Sequence, residues 1–168
     1  MEIEEEVILV DEQDHETGTM EKMEAHRKGL LHRAFSVFIF NSRGEMLLQR
    51  RSMAKYHSGG LWTNACCSHP RPGEGTGEAA QRRLMEEMGL NTDLEFRTSF
   101  VYRAQFTNGL TEHEFDHVYT GKSDLDPVVN PDEVDEFMWR DPEVIKEMIR
   151  TQPGQFSYWF RVAMDKIF

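Results

Sequence analysis

The 168-residue chain is 39% hydrophobic and 29% charged, ordinary for a soluble globular protein and enough for one domain, residues 1–168, with a real core. Its formal charge of −11 disfavours nucleic acid and acidic membranes as partners, so a negatively charged ligand needs a local cluster of cations. No apolar run approaches the roughly 20 residues of a membrane span. The two cysteines, Cys66 and Cys67, are adjacent with no third to pair, which fits a reduced, cytoplasmic compartment. The acidic start, Met1 to Glu6, is unlike a secretory signal or an Arg-rich transit peptide.

In chain order, Val7 to Val10 is a short apolar strand. Ala34 to Phe40 (AFSVFIF) is β-branched and aromatic, Asn41-Ser42-Arg43-Gly44 is a turn, and Met46 to Gln49 returns, which predicts a hairpin. Ser58 to Pro72, rich in Gly, Ser and Pro, is expected to be mostly loop. Glu78 to Met88 spaces Ala79, Ala80, Leu84 and Met88 as a helix, with Gly89 as its C-cap. Phe96 to Phe106 and Glu112 to Thr120 are strands joined through Thr107-Asn108-Gly109, and Val134 to Trp139 is another. Pro142 to Ile149 and Phe156 to Ile167 are helices. There is no internal repeat and no linker. This order of elements predicts an α+β sandwich with helices packed on mixed sheets.

The segment from Glu74 to Leu90 resembles the Nudix box, G-x5-E-x7-R-E-U-x-E-E-x-G-U, where U is a bulky aliphatic residue. Glu74, Arg82, Leu84, Glu86, Glu87, Gly89 and Leu90 fall in register; Ser68 replaces the leading Gly and Arg83 the first Glu of the R-E pair. In a hydrolase such a helix lines up carboxylates that hold Mg²⁺ against a diphosphate. Arg83 and Glu87, at i and i+4, share a face, and a guanidinium in place of a carboxylate weakens multi-metal binding and adds a direct phosphate partner. A solvated helix with an ordinary ion pair, worth about 0.2–0.5 kcal/mol, accounts for the same two residues.

His26, His32, His69, Glu112 and Glu114 are a ligand set suited to Mn²⁺, Zn²⁺ or Fe²⁺, although they are scattered over three segments. His113-Glu114-Phe115-Asp116-His117 also matches H-E-x-x-H, the zinc-protease signature. That motif works on a helix. Here the surroundings are those of a strand, where alternation sets Glu112, Glu114 and Asp116 on one face and His113, Phe115 and His117 on the other. The protease reading is therefore rejected.

Trp62-Thr63-Asn64-Ala65-Cys66-Cys67-Ser68-His69-Pro70 resembles a segment of the type 1 isopentenyl-diphosphate isomerases, in which the catalytic cysteine stands two residues before a metal histidine. The likeness continues at Glu21-Lys22 with His26 and His32, at Gln49-Arg50-Arg51 with Lys55, at Tyr102-Arg103, at Glu112-His113-Glu114 and at Phe156-Ser157-Tyr158-Trp159, and so spans nearly the whole chain. It implies a Nudix-like α/β/α sandwich. It also implies an activity: interconversion of isopentenyl and dimethylallyl diphosphate by protonation and deprotonation.

By the same resemblance, His26, His32, His69, Glu112 and Glu114 hold one divalent transition metal, Mn²⁺ or Zn²⁺. Glu87 helps hold Mg²⁺ against the diphosphate. Lys22, Arg51, Lys55 and Arg83 grip phosphate oxygens, Cys67 and Glu114 form the acid/base pair with Tyr102 beside Glu114, and Trp159 meets the hydrocarbon. The expected partner is the small isoprenoid diphosphate alone, with no nucleic acid or membrane, and the chain is expected to be a monomer.

The chemistry suits these residues. Shifting an unactivated double bond requires adding a proton at one carbon and removing another nearby, through a tertiary carbocation. An indole face attracts such a cation by roughly 0.5–2 kcal/mol. Each residue alone has a plainer explanation: Cys67 as a small buried hydrophobe, Trp159 as core, and Lys22, Arg51 and Lys55 as solvated surface charges. Two other functions compete. A Nudix nucleoside-diphosphate hydrolase would want a carboxylate where Arg83 stands, and a degenerate Nudix binding module would bind without turnover.

Overall fold

The computed structural model describes residues 5–55 and 58–168. Strand β1 (Glu6–Val10) pairs antiparallel with β2 (Glu16–Glu21), and helix α1 (Lys22–Lys28) follows. Neither β2 nor α1 is apparent in the sequence. Helix α1 is a seven-residue helix capped by a Glu side chain, not one of the short polar residues that usually mark a start: Glu21 accepts from the backbone N–H of Met23 and Glu24. Gly29, at φ 66°, closes it in the left-handed conformation.

Strand β3 (His32–Phe40) is the spine. It pairs in parallel with β8 (Thr111–Lys122), from His32 opposite Glu114 to Phe40 opposite Lys122. On its other edge it pairs antiparallel with β6 (Cys66–Ser68), which places Ser36 opposite Cys67. Strand β7 (Glu95–Gln105) extends the sheet beyond β8.

The expected hairpin opens immediately after its turn. Strand β4 (Met46–Arg51) meets β3 only at Phe40 opposite Met46, then pairs with β5 (Trp62–Thr63) and β9 (Val134–Arg140). Both arms are almost wholly buried, so each finds its own partners, and the space between them becomes interior. The Gly- and Pro-rich segment contributes β5 and β6, two very short strands with no periodicity to reveal them.

Helices cover both faces, which bears out the α/β/α sandwich. Ala79, Ala80, Leu84 and Met88 of α2 (Thr76–Met88) pack with Phe35, Val37, Ile39 and Leu47. Ile145 of α3 (Pro142–Thr151) and Trp159, Phe160, Ala163 and Met164 of α4 (Tyr158–Ile167) pack with Phe38, Met46 and Leu48. Alternation along β3 thus sends Phe35, Val37 and Ile39 to α2 and Phe38 to α4. Ser36, on the α4 side, is a buried polar residue at the cleft. Among the described residues no helix is long and apolar enough to cross a membrane.

Candidate active site

A cleft of about 710 Å³ opens between these layers, and its wall includes Lys22, Arg51, Lys55, Cys67, His69, Arg83, Tyr102, Glu112, Glu114 and Trp159. All four expected phosphate-gripping cations therefore meet in one place despite the overall negative charge.

At the cleft's floor His26, His32, His69 and Glu114 each bring one ligand atom within 4.8 Å of the others. The imidazole centroids are 5.0 Å apart for His26 and His32, 5.0 Å for His32 and His69, and 5.8 Å for His26 and His69. Helix α1 supplies His26, the start of β3 His32, the end of β6 His69, and β8 Glu114. The ring tautomers are fixed from behind. Nδ1–H of His26 donates to Lys22 O at 2.6 Å, and Nδ1–H of His32 donates to Leu30 O at 2.9 Å, so Nε2 is the nitrogen of each ring not used by the backbone.

His32 Nε2 stands 3.5 Å from Glu114 Oε1, too long for a well-formed hydrogen bond although the ring is wholly buried. Burial pushes His69 down to about 4, against the pull of Glu114. Three convergent imidazoles and one carboxylate are the donor set of a divalent metal, and the cluster can hold one.

Glu112 stands outside that four-residue group. Its Oε1 lies 3.2 Å from the Tyr102 hydroxyl, whose other contact is Glu114 Oε2 at 2.9 Å. One hydroxyl proton cannot serve both carboxylates at once. Burial and the neighbouring Glu114 push Glu112 well above the ordinary carboxylate range. Burial opposes ionisation of Glu114 as well, but His69 and His32 outweigh it and hold Glu114 well below that range. The Tyr102 hydroxyl is the donor in both contacts, serving one carboxylate at a time. The face alternation expected of β8 holds: Glu112, Glu114 and Asp116 are buried, while His113 contacts Gly29 O and His117 reaches Asp14 on the other face.

Cys67 and Cys66 point to opposite sides of β6. The Cys67 thiol donates to Asn64 Oδ1 at 3.0 Å and accepts from Trp159 Nε1–H at 2.9 Å. Burial, with Asp116 nearby, pushes it up to about 12, so at neutral pH it is a thiol. Cys66 is wholly buried and donates instead to Glu87 Oε2 at 2.7 Å. Trp159 offers less open surface than its sequence suggests, because the Arg51 guanidinium lies over its ring, 5.0 Å from the centroid.

Glu87 is not among the residues lining the cleft. Its carboxylate is buried between the Cys66 thiol and the Arg83 guanidinium, 3.3 Å away. Arg82 is committed to Glu74 through bonds of 2.8 and 2.9 Å, which gives the degenerate box a structural clasp. Four residues at the cleft escape sequence reasoning. Ser36 donates to Asp116 Oδ2 at 2.7 Å and lies 3.5 Å from Cys67 Sγ, Asn64 receives the Cys67 thiol, and Glu133 engages both Lys55 and Arg83. The alternation of β8 places Asp116 on the buried face, and Ser36 is the polar break in an otherwise apolar strand. Asn64 and Glu133 carry no local signal.

Residues 30–160 match the NUDIX domain. The chain is 54% identical over 162 residues to an isopentenyl-diphosphate Delta-isomerase of Pectobacterium atrosepticum, covering 96% of this chain and 90% of the relative. It is 51% identical over 165 residues to isopentenyl-diphosphate Delta-isomerase 2 of Aromatoleum aromaticum, covering 98% and 87%. Among solved structures, DR0079 from Deinococcus radiodurans superposes with a TM-score of 0.75 at 26% identity, covering 88% of this chain and 90% of that one. A MutT protein from Methanosarcina mazei superposes at 0.65 with 20% identity, covering 81% and 91%, a likeness of fold alone.

Proposed function

From the premise that this chain belongs to the isopentenyl-diphosphate Delta-isomerases of the NUDIX domain family, and so interconverts isopentenyl and dimethylallyl diphosphate, we propose that Cys67 and Glu114 carry its two proton transfers. One observation supports this above the others. The cleft that gathers Lys22, Arg51, Lys55 and Arg83 for a diphosphate also exposes Cys67 and Glu114 to whatever the diphosphate carries. The resting protonation states suit the task. Cys67 is held as a thiol and Glu114 as a carboxylate, so the pair holds one proton to give and one site to take. Each group acts as the acid in one direction of the reversible reaction and as the base in the other.

Tyr102 orients Glu114 through its 2.9 Å bond, and Asn64 and Trp159 hold the Cys67 sulfur from two sides. The Trp159 ring, partly covered by Arg51, walls off the hydrocarbon and excludes water that would capture a tertiary cation. His26, His32, His69 and Glu114, with Glu112 beside them, would hold Mn²⁺ or Zn²⁺; the ion would supply positive charge that steadies the carboxylate form of Glu114. Mg²⁺ carried by the diphosphate would be the second cation, held near the Cys67 backbone; Glu87, buried between Cys66 and Arg83, would have to turn toward the cleft to meet it. The chain acts as a single-domain, cytoplasmic monomer on this small molecule, without nucleic acid or membrane.

Proton NMR of the metal-loaded protein with isopentenyl diphosphate in deuterated water tests the pair. Deuterated dimethylallyl diphosphate is expected from the unmodified chain and none from Cys67→Ala or Glu114→Gln. A near-normal rate in either variant overturns the assignment, and phosphate release from nucleoside diphosphates in place of isomerisation would favour the hydrolase.

A further inference from the structure

Resting on the diphosphate reading of the cleft, we propose that Glu133 is an internal counter-anion that makes the site select a diphosphate already carrying a divalent cation over the bare diphosphate. Glu133 is the last residue before β9, and its backbone is tied from two directions. Its N–H donates to Asn130 O at 2.9 Å, and its carbonyl accepts from Ser52 N–H at 3.1 Å. The pairing of β4 with β9 shifts register at this point, between Arg50 and Arg51. So anchored, the side chain lines the cleft, and one carboxylate oxygen, Oε2, serves two of the cations expected to grip phosphate. It binds Lys55 Nζ and stands 3.3 Å from Arg83.

A diphosphate that engages Lys55 and Arg83 must therefore displace Glu133. Because its backbone is held at the cleft wall, the displaced carboxylate moves only as far as its own side chain can swing and stays near the incoming phosphate oxygens. Like charges at such range repel strongly in a partly buried site. A bare diphosphate meets that repulsion in full. A diphosphate carrying Mg²⁺ does not, since the hard cation lowers the incoming charge and accepts carboxylate oxygen readily. Arg83 already contacts Glu86 at 2.7 Å and Glu87 at 3.3 Å, so one further displaced carboxylate leaves an anionic rim that only a cation can bridge.

Glu133→Gln keeps the shape and removes the charge. The probe is inorganic pyrophosphate, titrated calorimetrically into the full chain at low salt, with saturating Mg²⁺ and with none added. For the unmodified chain, Mg²⁺ is expected to tighten binding strongly. In Glu133→Gln, metal-free binding tightens on the order of tenfold while binding with Mg²⁺ is unchanged or weaker, so the Mg²⁺ dependence shrinks. Glu133→Asp, which retains the charge, keeps a dependence near that of the unmodified chain, a contrast that a merely structural role would not produce. An unaltered Mg²⁺ dependence in Glu133→Gln overturns the proposal alone. Failure of the unmodified chain to bind pyrophosphate under either condition overturns the diphosphate reading with it.

Discussion

Tyr102→Phe isolates a single hydroxyl at the centre of the cleft. The ring stays, and with it the packing against Phe100 and Tyr158, at centroid distances of 6.0 and 6.3 Å. What disappears is the donor lying 2.9 Å from Glu114 and 3.2 Å from Glu112, in a side chain only 7% exposed. A hydrogen bond to a charged group contributes about 1.5–3 kcal/mol, and water cannot readily replace it here. A loss of about 2 kcal/mol lowers the melting temperature by about 4–8 °C for a chain of this size. If the bond also holds Glu114 in its reactive orientation, about 1.4–2.7 kcal/mol appears in the barrier, which is about 10- to 100-fold in kcat. The hydroxyl also opposes the upward push that burial and Glu114 exert on Glu112, so its removal raises Glu112 further. Thermal unfolding followed by circular dichroism and steady-state isomerisation by NMR read the two effects. A variant that melts and turns over like the parent would refute a role for the Tyr102 hydroxyl as donor to Glu114 and Glu112.

Three further outcomes follow from the same geometry. Burial, reinforced by Arg51, Arg83 and Lys22 and opposed by Glu87, brings Lys55 down to about 8, so KM for the diphosphate should rise as pH climbs through that value. Lys55→Arg, charged throughout, should move the rise to higher pH; an unchanged KM profile would remove Lys55 from phosphate binding. The stability sign is opposite: with the folded value depressed, the unfolded chain binds more protons between about 8 and the unperturbed lysine value, and stability increases with pH across that window. Stripping bound metal with a chelator should abolish isomerisation and lower the melting temperature by about 5–11 °C, the thermal equivalent of about 2.7 kcal/mol from a ligand at a hundredfold its dissociation constant, with recovery on adding Mn²⁺. Gly89→Ala should cost at least about 1–2 kcal/mol in urea unfolding, because φ is +62° and a Cβ would stand 2.7 Å from Val128 O, with little change in kcat.

The sequence was most legible where periodicity was long. The thirteen residues of α2 and the alternation of β8 stand in the structure much as expected, and β8 alone separates the inward carboxylates from the outward histidines of the decoy motif. Adjacency of Cys66 and Cys67 on a strand likewise sends them to different sides. The short elements were not legible: α1 begins on an unusual Glu cap, and β5 and β6 together span five residues. The opening of the β3–β4 hairpin was hidden because turn chemistry specifies only the first pair, whereas the partners of each arm lie far along the chain. Glu133 and Asn64 were hidden for a similar reason, since their partners on the cleft are set by tertiary approach.

The parallel pairing of β3 with β8 has a consequence for synthesis. It joins segments as far apart as Ser36 and Asp116, eighty residues distant in sequence, and the four-residue cluster exists only once that pairing closes. Closing so long a loop is slow compared with forming local turns. A growing chain leaves the ribosome with His26, His32 and His69 long before Glu114 emerges. The three imidazoles are therefore synthesised first, and the carboxylate that completes the set arrives only with β8. Which ion such a cluster would hold would thus depend on the order of assembly as well as on affinity, and refolding in a chosen metal would be the way to set it.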